Sequence, residues 1–230
     1  MRGGFSPSSR VHNRPPPPAT TYSTTFPAAE NPISEGGKWY GGATDGIVFS
    51  DVQTVVGKAH ASHLITPGTN DYTDDLAILK PSVAIPGANQ YAEVTIYRDV
   101  AYTPPSSHEI QIHLRANVNS AGPNYLPTYE VLFPWGGTMG QIVRQDGTLG
   151  GFTVLSPTGS GYSVLGTGDV VRAKIVGSVI TVYVNGVEAM TVTDTVITNG
   201  QPGMGFYVTT GAGVDRTKFC ISSWSCGSAT

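Results

Sequence analysis

Glu109, Gln111, His113 and Arg115 occupy alternating positions of the run EIQIHLRANV (109–118), and another acid, Glu130, follows in TYEVLF. Alternate residues of an extended chain line one face, so these four polar side chains share a face. Ile110, Ile112, Leu114 and Ala116 share the other. If Glu130 lies on a neighbouring strand, a Glu109/Glu130 pair with His113 is a set suited to general acid–base chemistry. Other acids on strand-like segments, Glu93 and Glu188, stand singly. A polar strand face is by default a wet one, and a solvated face is the expectation for this one. No nucleophile elbow, P-loop or His-Glu-x-x-His run is present. The glycine-rich stretches GTLGGF and TGSGYSVLGTG lack a following helix, which argues against phosphate cradling.

Two further groups have metal or redox chemistry within reach. The segment NDYTDD (70–75) gathers Asp71, Asp74 and Asp75. Hard oxygens at that density suit Ca²⁺, although the EF-hand spacing is missing; the alternative is a solvated acidic turn, with no cofactor at all. Cys220 and Cys226 are the only cysteines. Along an unbroken strand they stand roughly 20 Å apart, too far for a disulfide. A turn at Ser222-Ser223 would close the pair, so a bridge, free thiols and a bridge to another chain all stay open.

These residues must be positioned by β-structure. The 230-residue chain contains 29 glycines and 17 prolines, and only 13% of it is charged. Threonine and valine far outnumber leucine, a balance that excludes a helical bundle. A net charge of −3 argues against electrostatic nucleic-acid binding. No apolar run reaches the roughly 20 residues of a membrane helix. Strand-like segments follow one another, among them Glu109–Val118, Thr128–Phe133, Gly140–Gln145, Val170–Val176, Val179–Val184, Val187–Thr193, Met204–Thr209 and Lys218–Trp224. Asn185-Gly186 is a type I′ hairpin signal, and Gly147 and Gly177 mark two more turns. About a dozen strands without a helix signal predict an all-β fold, a two-sheet antiparallel jelly-roll sandwich.

The run GDVVRAKIVGSVITVYVNGVEAMTVTD (168–194) with GQPGMGFYV (200–208) resembles the concanavalin A-like lectin/glucanase superfamily, in its broad laminin-G-like sense. ENPISEGGKW (30–39) and YTDDLAIL (72–79) resemble segments of such domains in bacterial and phage proteins. The resemblance implies the sandwich fold for residues 22–230. For function it implies a range, since lectins, glycanases, lyases and inert structural modules share this fold. Glycanases of this type place their acids on one strand as E-x-D-x-x-E or E-x-D-x-E, and that pattern is absent here. Glycan binding would use aromatic platforms: Trp135 in PWGG and Tyr125 in a Pro-Asn loop, joined by Gln141 and Arg144. Trp39 is expected to pack at one end of the sandwich.

Residues 1–21 differ in kind. Pro15, Pro16, Pro17 and Pro18 predict a stiff polyproline II stretch, and Arg2, Arg10 and Arg14 are unaccompanied by any acid. No apolar segment of a Sec signal follows the basic start. This composition suits an extended arm docking on other protein subunits of an oligomeric or lattice-like assembly. The expectation from sequence is therefore a non-enzymatic structural or decoration-type module on a virion or extracellular surface, plausibly of phage origin. The alternatives are a secreted carbohydrate-binding module and a glycanase or polysaccharide lyase.

Overall fold

A computed structural model describes residues 20–64, 74–84, 86–105, 107–118, 125–135, 140–146, 151–156 and 164–230. The proposed arm residues Arg2, Arg10, Arg14 and Pro15 to Pro18, and the acid Asp71, lie outside them. The strands, in chain order, are β1 (Tyr22–Thr24), β2 (Trp39–Gly41), β3 (Ser50–Val55), β4 (Lys58–Ala61) and β5 (Asp75–Leu79). Next come β6 (Gln90–Arg98), β7 (Glu109–Ala116), β8 (Thr128–Pro134), β9 (Gln141–Gln145) and β10 (Phe152–Val154). The last five are β11 (Val170–Val176), β12 (Val179–Val184), β13 (Val187–Thr193), β14 (Gln201–Tyr207) and β15 (Phe219–Ser228). No α-helix occurs among the described residues.

The strands form two layers. The front layer runs β10-β9-β8-β7-β14-β5, with β2 also on β5. The back layer runs β4-β15-β6-β11-β12-β13, with β1 also on β15. Strand β3 joins them, antiparallel to β4 and parallel to β5. Between the layers lies the main core, built from alternate residues such as Ile110, Ile112, Val131, Phe133 and Met204 in front and Val94, Ile96, Ala173, Ile221 and Trp224 behind. The hairpins follow their turn residues: Asn185 and Gly186 have φ values of 51° and 79°, and Gly177 has φ 57°. Trp39 is buried as expected, 4.9 Å edge-on to Trp224 and 6.1 Å from Tyr22.

Three strand expectations change, each for a local reason. Strand β14 begins at Gln201 and ends at Tyr207. Its Pro202, which reads as a turn signal, sits in a register shift where a missing N–H is tolerated. In β7 the phase slips near Arg115, whose φ is 51°. Ala116 therefore leaves the Ile110–Ile112–Leu114 face and joins a second apolar cluster on the outside of the front layer. Arg115 leaves the Glu109–His113 row. It is 3% exposed, and its guanidinium donates to the carbonyls of Ala88, Ile197 and Gly177. Its role is to clamp three chain segments.

Strand β15 runs unbroken from Phe219 through Ser228, with a bulge between Ile221 and Ser223 where a turn would have been needed to join the cysteines. Cys220 and Cys226 are accordingly both free and buried. Burial pushes both thiols up to about 12, so they stay protonated.

The outside of the front layer is not left wet. The stretch after β2 turns through a short 3-10 segment, Ala43–Asp45, and folds Ile47 and Phe49 onto Leu76, Ile78, Ala116 and Leu126. Gly41 N–H donates to Asp45, and Thr44 donates to Asp51 through both its backbone N–H and its hydroxyl. A Cβ on Gly42 would stand 2.2 Å from the Phe49 carbonyl oxygen, so glycine is required where this roof closes.

Two measurements check these assignments. Without reductant, the unfolded chain is expected to take two thiol labels and the native chain far fewer; an unlabelled unfolded chain would mean a disulfide. Gly42→Ala is expected to cost about 1–3 kcal/mol from backbone displacement, read as a lowered denaturation midpoint.

Candidate functional site

The roofed face of the front layer collects the polar residues of β7 with those of its neighbours. Strand register sets them in rows. Glu109 lies between Pro134 and Tyr207, with Asp74 just before β5 close to the same row. In the next row Gln141, Leu132, Gln111 and Gly205 are neighbours. The third row brings Val143, Glu130, His113 and Gly203 together. Glu109 and Glu130 are thus two pleat repeats apart along adjacent strands, about 14 Å at the backbone. Their long side chains line one cleft of about 250 Å³ with Asp74, Gln141, Gln145, Phe49, Phe152 and Tyr207. Phe152 is 48% exposed and stands at the lip.

Hydrogen bonds from carboxamides hold the acids in place. Gln111 Nε2 donates to Asp74 Oδ2 at 2.7 Å, and Gln145 Nε2 donates to Glu130 Oε2 at 2.7 Å. A Cβ at Gly205 would fall 2.5 Å from Gln111 Oε1 and 2.8 Å from His113 Nε2, so this glycine leaves room for both side chains. Neither of those two buried atoms has a hydrogen-bond partner among the described residues. His113 is fully buried, with Nδ1 3.4 Å from the Thr128 hydroxyl and the Phe49 ring edge-on at 6.5 Å.

Removal from water controls the protonation of this group. Burial, reinforced by the negative charge of Glu130, raises Glu109 to about 8. Burial raises Glu130 to about 7 against the opposing hydrogen bond from Gln145. Asp74 is also driven well above the ordinary carboxylate range, first by burial and then by Glu130. Burial lowers His113 to about 3, leaving a neutral imidazole near pH 7. The ladder of values gives one carboxyl that keeps its proton at neutrality and a second that is half-ionised there. That is the protonation pair an acid–base reaction uses.

The structure brings Glu109, Glu130 and His113 onto one face, as expected; Glu130 and His113 are buried there instead of solvated, and Glu109 is half-buried. It adds Asp74, which the sequence suggested only as a calcium ligand, together with Gln111 and Gln145. Asp74 and Asp75 are consecutive and face opposite ways. Asp75 Oδ1 is occupied by the backbone N–H groups of Ser62 and His63 and by the Ser62 hydroxyl. A shared calcium site for these two is thereby corrected, and no three His, Cys, Asp or Glu residues converge as metal ligands among the described residues.

The four aromatic-platform residues do not assemble. Gln141 lines the acidic cleft. Arg144 lies on the other face of β9, paired with Asp146 and Asp194. The Trp135 indole N–H donates to the Pro104 carbonyl, its ring lies 5.3 Å from the Arg98 guanidinium, and the side chain packs against the main core. Tyr125 borders a separate hollow with Asn117 and Pro127.

No protein-family model matches the sequence, and no curated protein does. Solved structures do match. A carbohydrate-binding module of the CBM66 type from Bacillus subtilis aligns with a TM-score of 0.53 and 11% identity, over 82% of this chain and 94% of that one. A Bacillus licheniformis β-glucanase aligns with a TM-score of 0.55 and 12% identity, over 92% and 99%. The carbohydrate recognition domain of Emp46p, in its potassium-bound form, aligns with a TM-score of 0.56 and 14% identity, over 91% and 97%. With its two-layer, mostly antiparallel strand order, the chain has the concanavalin A-like lectin/glucanase fold.

Proposed function

We propose that this chain binds a glycan across the outside of its front layer and acts on it by acid–base chemistry at Glu109 and Glu130. The observation that carries this reading is the convergence of the two acids in one covered cleft, with the exposed ring of Phe152 at its lip. Sugar rings stack on aromatic faces while their hydroxyls pair with carboxamides such as Gln141 and Gln145. Glu109, protonated at neutrality, serves as the acid and Glu130 as the base. In hydrolysis the bond from the anomeric carbon to the leaving oxygen breaks, and that oxygen takes the Glu109 proton. Water bonds to the anomeric carbon and gives its proton to Glu130. In transfer, an acceptor hydroxyl replaces water.

The fold alone leaves binding and catalysis open, because carbohydrate-binding domains and glucanases both share it. Placement of the domain on an extracellular or particle surface belongs to the same proposal and rests on the composition of residues 1–21. Their deletion is expected to leave a folded sandwich that no longer joins its assembly; unchanged incorporation would refute the tether.

Release of new reducing ends from a polysaccharide panel tests the catalytic reading. Glu109→Gln and Glu130→Gln are each expected to lower turnover at least 100-fold while glycan binding persists. The pH profile of the unaltered chain is expected to peak between about pH 7 and 8, where Glu130 is ionised and Glu109 is not. Turnover indifferent to both substitutions would remove these residues from the chemistry.

Stability supplies an independent check on the electrostatics. A Glu130 raised from 4.5 to about 7 binds its proton more tightly in the folded chain than in the unfolded one. Its contribution is therefore fully present below pH 4.5 and is lost as pH rises through 7, by about 3 kcal/mol in all. Glu130→Gln is expected to melt higher than the parent at pH 8, with the gain gone at pH 4.5. An equal difference at both values would place Glu130 in an ordinary solvated setting.

A further inference from the structure

The charge inventory of the cleft narrows its ligand. Three carboxyl groups line it, those of Asp74, Glu109 and Glu130, with the carboxamides of Gln141 and Gln145 and a set of apolar and aromatic side chains. No lysine or arginine is among the described residues that line it. The two arginines on strands bordering this face are committed elsewhere. Arg115 is bound to three backbone carbonyls, and Arg144 is paired with Asp146 and Asp194 on the opposite face of β9. The acids themselves are steadied by neutral amides, Gln111 on Asp74 and Gln145 on Glu130, and by no cation.

Resting on the reading that this cleft holds a glycan, we infer that the glycan carries no acidic groups, and is not a polymer of uronic or sulfated sugars. A bound uronate or sulfate would bring a full negative charge into the cleft with no positive group to offset it. An unpaired charge removed from water is costly, and any neighbouring carboxyl that ionises adds repulsion. The same inventory bears on the reaction. Eliminating a uronate chain requires its carboxylate to be neutralised so that the adjacent C5 proton can leave, and the cleft offers no cation for that purpose. An uncharged chain instead satisfies the carboxyl and carboxamide groups through its hydroxyls and lays its rings on Phe152 and Tyr207. Its cleavage then leaves saturated ends, the products of hydrolysis or transfer.

The test uses the full chain at low ionic strength, where charge effects are greatest. Binding and product release are measured for neutral glucans, xylans and mannans, for polygalacturonate and for a sulfated galactan. The expected result is engagement of a neutral polymer, at least tenfold tighter than either anionic one, with no unsaturated product. Gln141→Lys, which sets a cation at the cleft, is expected to raise polygalacturonate binding at least tenfold. Preferred engagement of the uronate or sulfated polymer by the unaltered chain would overturn the inference while leaving a glycan site in place. Engagement of none would overturn the glycan reading itself, and this inference with it.

Discussion

Everything distinctive about this molecule depends on the exclusion of water from the outside of one sheet. An antiparallel layer packed on a core ordinarily has a solvated second face. Here that face is capped by Ile47 and Phe49, delivered by a loop whose closure needs Gly42 and whose shape is fixed by Asp45 and Asp51. Once covered, carboxyl groups without counter-cations lower their energy by holding protons, and the imidazole of His113 by losing one. Burial sets the direction of each shift, and the negative charge of Glu130 adds to those of Glu109 and Asp74. A loop that precedes all of these acids in the chain thus contributes to their cover.

Much of this was legible in the residues themselves, and the limits are instructive. The period-two pattern of 109–114, the Asn185-Gly186 turn and the long β11–β12–β13 meander identify strands and sandwich, because each rests on local rules. Glu109, Gln111 and His113 likewise announce a shared face. What chain spacing does not reveal is the second acid. A one-strand glycanase pattern places it four residues after the first, a position that His113 occupies here. The acid stands instead on β8, directly across from His113. Cross-strand register is needed to see it, and register is a property of the folded sheet. Asp74 escaped for a similar reason. In sequence it belongs to an acidic turn with Asp75, and only the alternation of side chains at the start of β5 separates a structural acceptor from a member of the cleft. Arg115 shows the reverse case, a polar residue read into the row that a single left-handed backbone angle removes from it.

The structural likenesses sharpen the same distinction between scaffold and site. A carbohydrate-binding module, a glucanase and a carbohydrate recognition domain superimpose on this chain comparably well at 11–14% identity. Such low identity leaves the architecture common and the side chains free to differ. The discriminating features are therefore the ones peculiar to this sequence: which residues face outward from β7, β8 and β14, and which loop covers them.

The pairing of β1 with β15 has a geometric consequence of its own. Tyr22 lies opposite Cys226, so the first and last strands are neighbours in the back layer. The cleft opens on the far side of the front layer, with the whole sandwich between. The scaffold that separates core from cleft thereby also sets β1 and β15 on the side of the molecule turned away from the acids.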